Sequence, residues 1–286
     1  MTTSQEQEPI EDVSEQATSE KPARDATELD YFWAALMFYT RIPTPKSALH
    51  SQEVLDESRK YFPLIGIIVG SIASLVFIVA NTVFDASLSI ALSMVATIMA
   101  TGAFHEDGFA DTCDGFGGGW TKPQVLTIMK DSRVGTYATV GLVSILGLKF
   151  LALEELVKSI DAAALCALMI AAHTLSRLVS SHMIDLFDYV QDIDQSKVKP
   201  ITESQLSRLG QHTSLMFGLV TIIGLAFILP YAALPALVLA IICATSAALA
   251  FMAYSRHRIG GYTGDVLGAI QQLAELSLYL VLAACL

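Results

Sequence analysis

The chain has 286 residues, 53% of them hydrophobic and only 16% charged, with a formal net charge of −11. The apolar share is above, and the charged share below, what soluble globular domains use, which excludes an ordinary soluble fold and a wholly disordered chain. Nine of the 28 acids fall in the first thirty residues, so the negative balance says little about the remaining surface.

Those first thirty residues carry two bases and almost no large apolar side chain. They read as a disordered acidic tail. They lack the basic start, apolar centre and cleavage site of a signal peptide. Residues 31–286 read as one membrane domain. The stretch Tyr31 to Thr40 is too short to cross a bilayer. It predicts an interfacial or re-entrant helix with Tyr31, Phe32 and Trp33 at headgroup level. Apolar runs near twenty residues long then predict spans at roughly 62–84, 86–104, 134–153, 162–183, 213–229, 236–254 and 266–286. The expected fold is therefore all-α: a polytopic helical bundle of about seven spans in the lipid bilayer.

The loops between these spans are asymmetric. Arg41, Lys46, Arg59, Lys60, Lys122, Lys130, Arg133, Lys197, Lys199, Arg208, Arg256 and Arg258 fall on one side, and only Lys158 on the other. The basic side is predicted to be cytoplasmic. Cys113, Cys166, Cys243 and Cys285 form no C-x-x-C pair, so neither a disulfide nor a zinc site is expected. Cys113 reads as a packing residue among acids.

The most informative run is TGAFHEDGFADTCDGFGGG, residues 101–119. Asp107, Asp111 and Asp114 are spaced four and then three apart, so on a helix they share one face. Three carboxylates on one face repel, and a hard divalent cation with oxygen ligands, Mg²⁺ above all, relieves that repulsion. Gly108 and Gly115, each beside an acid, are read as leaving room for a phosphate. Glu106 falls on a different face, as solvent-exposed acid or metal contact. His105 reads as either a proton shuttle or a hydrogen-bonded interfacial histidine. Gly117 to Gly119 break the helix. Thr121 to Gln124 fits a capping box, with Pro123 in the first turn of a short helix striped by Val125, Ile128 and Met129. Lys130, Asp131 and Arg133 follow. Carboxylates and metal beside basic groups suit a diphosphate. An in-line attack on phosphorus by an oriented hydroxyl is the chemistry such a site supports.

Further polar residues lie at membrane depth. His173 and Arg177 fall in the fourth predicted span, with Gln271, Gln272 and Glu275 in the seventh. Such groups face a cavity or pair between helices, for example Arg177 with Glu275. Asp265 opens the seventh span, as a helix cap that also lies where anions bind.

The segments FWAALMFYTRIPTP (32–45), YFPLIGIIVG (61–70), TGAFHEDGFADTCDGFGGGW (101–120), IMKDSRVGTYA (128–138) and GGYTGDVLGA (260–269) resemble the cobalamin-5′-phosphate synthase family, the adenosylcobinamide-GDP ribazoletransferases. The resemblance covers nearly all of 31–286. It departs at Phe109, where leucine is expected, in the widened turn at Gly117 to Gly119, and in the added tail. It implies transfer from adenosylcobinamide-GDP to α-ribazole or α-ribazole 5′-phosphate, with release of GMP. In that reading Asp107, Asp111, Asp114 and Asp131 hold Mg²⁺ and serve the attacking hydroxyl. Lys130 and Arg133 hold phosphate oxygens, and Arg41, Asp265, Gly108 and Gly115 lie on the substrate side. The implied setting is a bacterial inner membrane with the site facing the cytoplasm. No nucleic acid is expected as a partner, and a homo-oligomer is left open. Two alternatives remain. A CDP-alcohol phosphotransferase shares the start Asp111-Thr112-Cys113-Asp114-Gly115, but lacks the alanine-arginine pair that should follow. A divalent-cation transporter would place its acids at mid-bilayer on paired broken helices.

Overall fold

The computed structural model describes residues 25–190 and 205–286, apart from Ala48 and His50. The predicted tail lies outside the described residues up to residue 24. Its last part is ordered, because the first helix, α1, spans Glu28–Tyr39. Thr27 and Asp30 form a capping box there, and Glu28 accepts hydrogen bonds from Lys60 and Tyr61. The order continues with α2 (Gln52–Ser58), α3 (Phe62–Ala80), α4 (Ala86–Thr101), α5 (Phe104–Gly118), α6 (Lys122–Met129), α7 (Thr136–Ser159), α8 (Ala162–Met183), α9 (Arg208–Ile228), α10 (Leu234–Ile259) and α11 (Gly264–Cys285). Each of the seven predicted spans is a helix: α3, α4 and α7 to α11. The sequence reading did not anticipate α2.

Five stretches are long and apolar enough to cross a membrane: Gln52–Ala80, Ala162–Met183, Arg208–Ile228, Tyr231–Ile259 and Gly264–Cys285. The pair α4 and α5 would make a sixth, bent by 88° at its break. The bend has a local cause. Gly102 and Ala103 are both left-handed, at φ 65° and 58°. Two such residues in succession stop a right-handed helix, and at Ala103 the conformation carries a steric cost. α5 therefore runs across one end of the bundle instead of continuing through it. At that end Asp114 holds the first turn of α7, and Arg59 pairs with Asp185 beyond α8. At the opposite end Ser87 of α4 donates to Glu154, near the close of α7.

α8 and α11 are the most buried of the candidate spans and α9 the least. α3 lies against α8 through glycines. A Cβ on Gly66 would sit 2.5 Å from the His173 carbonyl oxygen, and one on Gly70 2.5 Å from Ile170 Cα. Between apolar helices in lipid there is little hydrophobic gain, so this backbone approach supplies the contact. Leu219, Val220, Ile223 and Phe227 of α9, like Val238 and Ile242 of α10, remain outward and apolar, as a lipid-facing surface requires.

Gly66→Ala should lower the thermal midpoint in detergent, by an overpacking cost of about 1–3 kcal/mol. Gly147→Ala, on α7 with nothing near its Cβ position, should not. Equal midpoints for the two variants would rule out the close α3 and α8 contact.

Candidate active site

Residues 104–118 are helical as the spacing predicted, so Asp107, Asp111 and Asp114 do issue from one side of α5. Two of them stay accessible: Asp107 is exposed and Asp111 half-buried. Across from them stands Asp265, in the first turn of α11. The Asp111 carboxylate feels the charges of Asp265, Asp107 and Asp114, and Asp265 feels that of Asp107. No basic side chain pairs with Asp107 or Asp111 among the described residues. Asp265 is not the α11 cap. Thr263 is, its hydroxyl accepting from Val266 N at 3.3 Å, which leaves the Asp265 carboxylate to face α5.

The two glycines bring α5 this close. A Cβ on Gly108 would lie 3.0 Å from the Asp265 backbone, and one on Gly268 3.2 Å from the His105 carbonyl. At Gly115 the space is taken by Met129 of α6. The room read from sequence as ligand space is thus filled by neighbouring helices.

Asp114 has a different task from its two neighbours. It is buried, and both its oxygens accept backbone N–H groups, Gly135 at 2.6 Å and Ala138 at 2.8 Å. It caps α7, a charge-assisted arrangement at a helix N-terminus. Asp131 is also engaged. It forms a fork with Arg133, at 3.0 and 3.1 Å to Nε and 2.5 Å to Nη2, on an exposed loop. Arg133 holds that carboxyl down at about 2. Among the described residues no hydrogen bond or ion pair joins Asp131 to Asp107 or Asp111, so the loop forms a second polar group beside the first. An open pocket of about 410 Å³ is lined by Asp114, Asp131, Arg133, Gly135 and Tyr137. Lys130 closes α6, exposed. Arg41 reaches the elbow, its side chain against Gly102 and its backbone N–H on Ala100 O.

His105 and Glu106 both turn inward. His105 is buried, stacked on Phe62 at 5.7 Å, with Nε2 unpartnered among the described residues. It lies among aromatic rings, and no hydrogen bond of its ring is found among the described residues. Glu106 accepts from Gln272 Nε2 at 3.0 Å, so it is neither a solvated acid nor part of the outer face. Cys113 packs against Gly141 of α7. The capping box at Thr121 and Gln124 is present. Sequence reading counted Arg258 only among the bases of the cytoplasmic side, yet it donates to the carbonyls of Phe116 and Gly119 and so caps the C-terminal end of α5. Its only sequence signal is a basic residue in a short loop between predicted spans.

Among the described residues no group of three His, Cys, Asp or Glu side chains is arranged as a ready metal cage. The donor chemistry still fits a hard cation: Asp107, Asp111 and Asp265 are oxygen donors with accumulated negative charge. Mg²⁺ characteristically takes one or two carboxylates and completes its shell with water and substrate phosphates.

Fold and site together define a polytopic α-helical membrane protein whose polar chemistry sits on a helix laid across one end of the bundle. The family described as cobalamin-5-phosphate synthase matches residues 31–283, and the chain belongs to that family. Relatives named adenosylcobinamide-GDP ribazoletransferase bear this out. One from Shewanella frigidimarina is 43% identical over 90% of this chain and 95% of its own. One from Leptothrix cholodnii is 43% identical over 87% and 93%, and one from Vibrio cholerae 39% identical over 91% and 95%. No solved structure matches the chain.

Asp114→Ala removes two charge-assisted bonds, each worth about 1.5–3 kcal/mol, and should clearly lower the thermal midpoint. Asp111→Ala removes a repelling charge and should leave the midpoint equal or higher. Matching losses in the two variants would contradict this division of labour.

Proposed function

We propose that the protein joins adenosylcobinamide-GDP to α-ribazole or α-ribazole 5′-phosphate, forming adenosylcobalamin or its 5′-phosphate and releasing GMP. The observation that carries this reading is the uncompensated acidic face of Asp107, Asp111 and Asp265, in a chain aligned almost end to end with relatives bearing that enzyme name. A ribose hydroxyl of α-ribazole attacks the phosphorus bonded to cobinamide. The new P–O bond forms as the bond to the GMP oxygen breaks, and GMP leaves with the electron pair. The hydroxyl proton passes to a carboxylate of the α5 face. Asp107 and Asp111, with Asp265 opposite, are the residues that would hold Mg²⁺. When bound, the cation supplies charge neutralisation at the diphosphate. Asp114 and Asp131 could join that set only by giving up α7 and Arg133. Lys130 and Arg133 are the basic groups that would meet phosphate oxygens, Arg133 by releasing Asp131.

The orientation we propose places this end of the bundle in the cytoplasm of a bacterial cell. Arg59, Lys122, Lys130, Arg133 and Arg258 gather there, while Lys158 lies towards the opposite end of α7. A reporter fused after Leu286 should read periplasmic and one inserted at Ser196 cytoplasmic. A cytoplasmic C-terminus would overturn the seven-span orientation.

Purified protein should release GMP from adenosylcobinamide-GDP when α-ribazole or its phosphate and Mg²⁺ are supplied. A phosphotransferase acting on CDP-alcohols, or a cation transporter, would not. Asp111→Asn should lower turnover by about 10²-fold or more across a Mg²⁺ titration, the scale of lost electrostatic stabilisation. Near-normal turnover of Asp111→Asn at limiting Mg²⁺ would remove Asp111 from the site.

A further inference from the structure

A polar cluster from four helices lies inside the bundle behind the acidic face. Lys149 of α7 is 3.0 Å from Glu275 Oε1 and donates to Gln272 Oε1 at 2.8 Å, both on α11. His173 Nδ1 of α8 is 3.4 Å from Glu275 Oε2. Arg177, one turn further along α8, donates to the His173 carbonyl at 3.0 Å and is attracted by both Glu275 and Glu106. The member from α5 is Glu106, which accepts from Gln272 Nε2 at 3.0 Å. Two carboxylates thus stand among Lys149, Arg177 and a histidine. Lys149, His173, Arg177, Gln272 and Glu275 are all less than a tenth exposed. The second Glu106 oxygen has no partner among the described residues, and Glu106 borders a small cavity with Ser93, Thr97 and His173, with room for about one water.

We infer that Glu106 is a positioning residue for the transfer reaction: its bond to Gln272, backed by Lys149, sets the rotation of the first half of α5 and thereby the places of Asp107 and Asp111, while Asp114 holds the second half against α7. The inference rests on the function proposed above. Glu106 and Asp107 are successive residues, so one rotation governs both. In the first half of α5, Glu106 is the one side chain that makes a hydrogen bond among the described residues. The other contacts there, among them Gly108 on Asp265, Gly268 on the His105 carbonyl, the His105 ring on Phe62, Phe104 against Phe38 and Tyr39, and Phe109 beside Ile145 and Leu276, are packing contacts without hydrogen-bond direction. The preceding elbow of Gly102 and Ala103 joins α5 to α4 at 88° and does not continue a helical hydrogen-bond ladder through it. With carboxylates about 5–6 Å from the axis, a 20° rotation, as an illustrative value, displaces them by about 2 Å. A shift of about 1 Å in a reacting group can cost 10²-fold in rate. Gln272 is itself oriented by two neighbours, accepting from Lys149 and donating also to Gln271 Oε1 at 2.9 Å.

The test measures GMP release, with kcat and KM resolved for each substrate, and thermal midpoint in detergent. Glu106→Leu deletes the acceptor and should lower kcat by about 30-fold or more, with each KM within about twofold. Glu106→Gln retains an acceptor oxygen and should recover kcat to within about fivefold of wild type. Gln272→Met breaks the same link from the α11 side and should reproduce the Glu106→Leu pattern, which keeps the inference testable if Glu106→Leu fails to fold. A lowered midpoint with normal kcat in Gln272→Met and Glu106→Leu would leave Glu106 purely structural and overturn the inference. Glu106→Gln as impaired as Asp111→Asn would overturn it differently, making the Glu106 charge itself part of the reaction. Wild-type protein that turns over while these variants match it refutes positioning alone. Wild-type protein that releases no GMP refutes the functional reading, and the inference with it.

Discussion

The contact on which the site depends is that of α5 with α11, backbone against backbone. Gly108 meets the main chain of Asp265, and Gly268 meets the carbonyl of His105. Any side chain at either position would hold the helices apart and separate Asp265 from Asp107 and Asp111. The approach concentrates like charge, which costs free energy unless a cation joins it. That cost is borne at an accessible edge, where solvent and ligand can reach two of the acids. The remaining geometry serves this contact. The elbow at Gly102 and Ala103 turns the chain, Arg258 stops the far end of α5, and Asp114 ties it to α7.

The bilayer explains the contrast between the two charged regions. In hydrocarbon a polar group must find its partner within the protein. The inner cluster meets most of that demand with opposite charges and side-chain amides, as the Lys149, Glu275 and Gln271 bonds show, leaving one Glu106 oxygen and Arg177 Nε unpartnered among the described residues. The outer face does the opposite, leaving carboxylates together without a base. Two groups of acids only a residue apart on α5, at Glu106 and Asp107, therefore belong to different dielectric surroundings and do different work.

Much of the fold was legible because length and hydropathy are one-dimensional properties of lipid-facing helices. The shared face of Asp107, Asp111 and Asp114 followed from helical period, and the capping box at Thr121 from two side chains three residues apart. What sequence could not supply was the third dimension. Spacing gives Asp114 and Asp111 equal standing, yet the N-terminus of α7 lies over one and not the other. Asp265 looks like a cap until Thr263 is seen to occupy that role. Gly108 beside an acid reads as room for a ligand, because nothing local says that α11 fills the space. Glu106 reads as a solvent-exposed acid or a metal contact because its partner, Gln272, lies 166 positions away. The shared motifs identified the family, but partner assignment within the site required the packing of helices distant in the chain.

The elbow before α5 also separates the chemistry from the dimension that lipid controls. Spanning helices answer a thicker or thinner membrane by tilting, at a modest cost per ångström. α9, the least buried of the candidate spans, has the most freedom to do so. α5 runs nearly at right angles to α4, and its side-chain ties are to α7, α10 and α11 at one end of the bundle. Its carboxylates are registered to those helix ends and not to the bilayer midplane. The spacing of those acids is thereby set by helix ends, so a membrane of changing thickness would strain the outer spans before the α5 face.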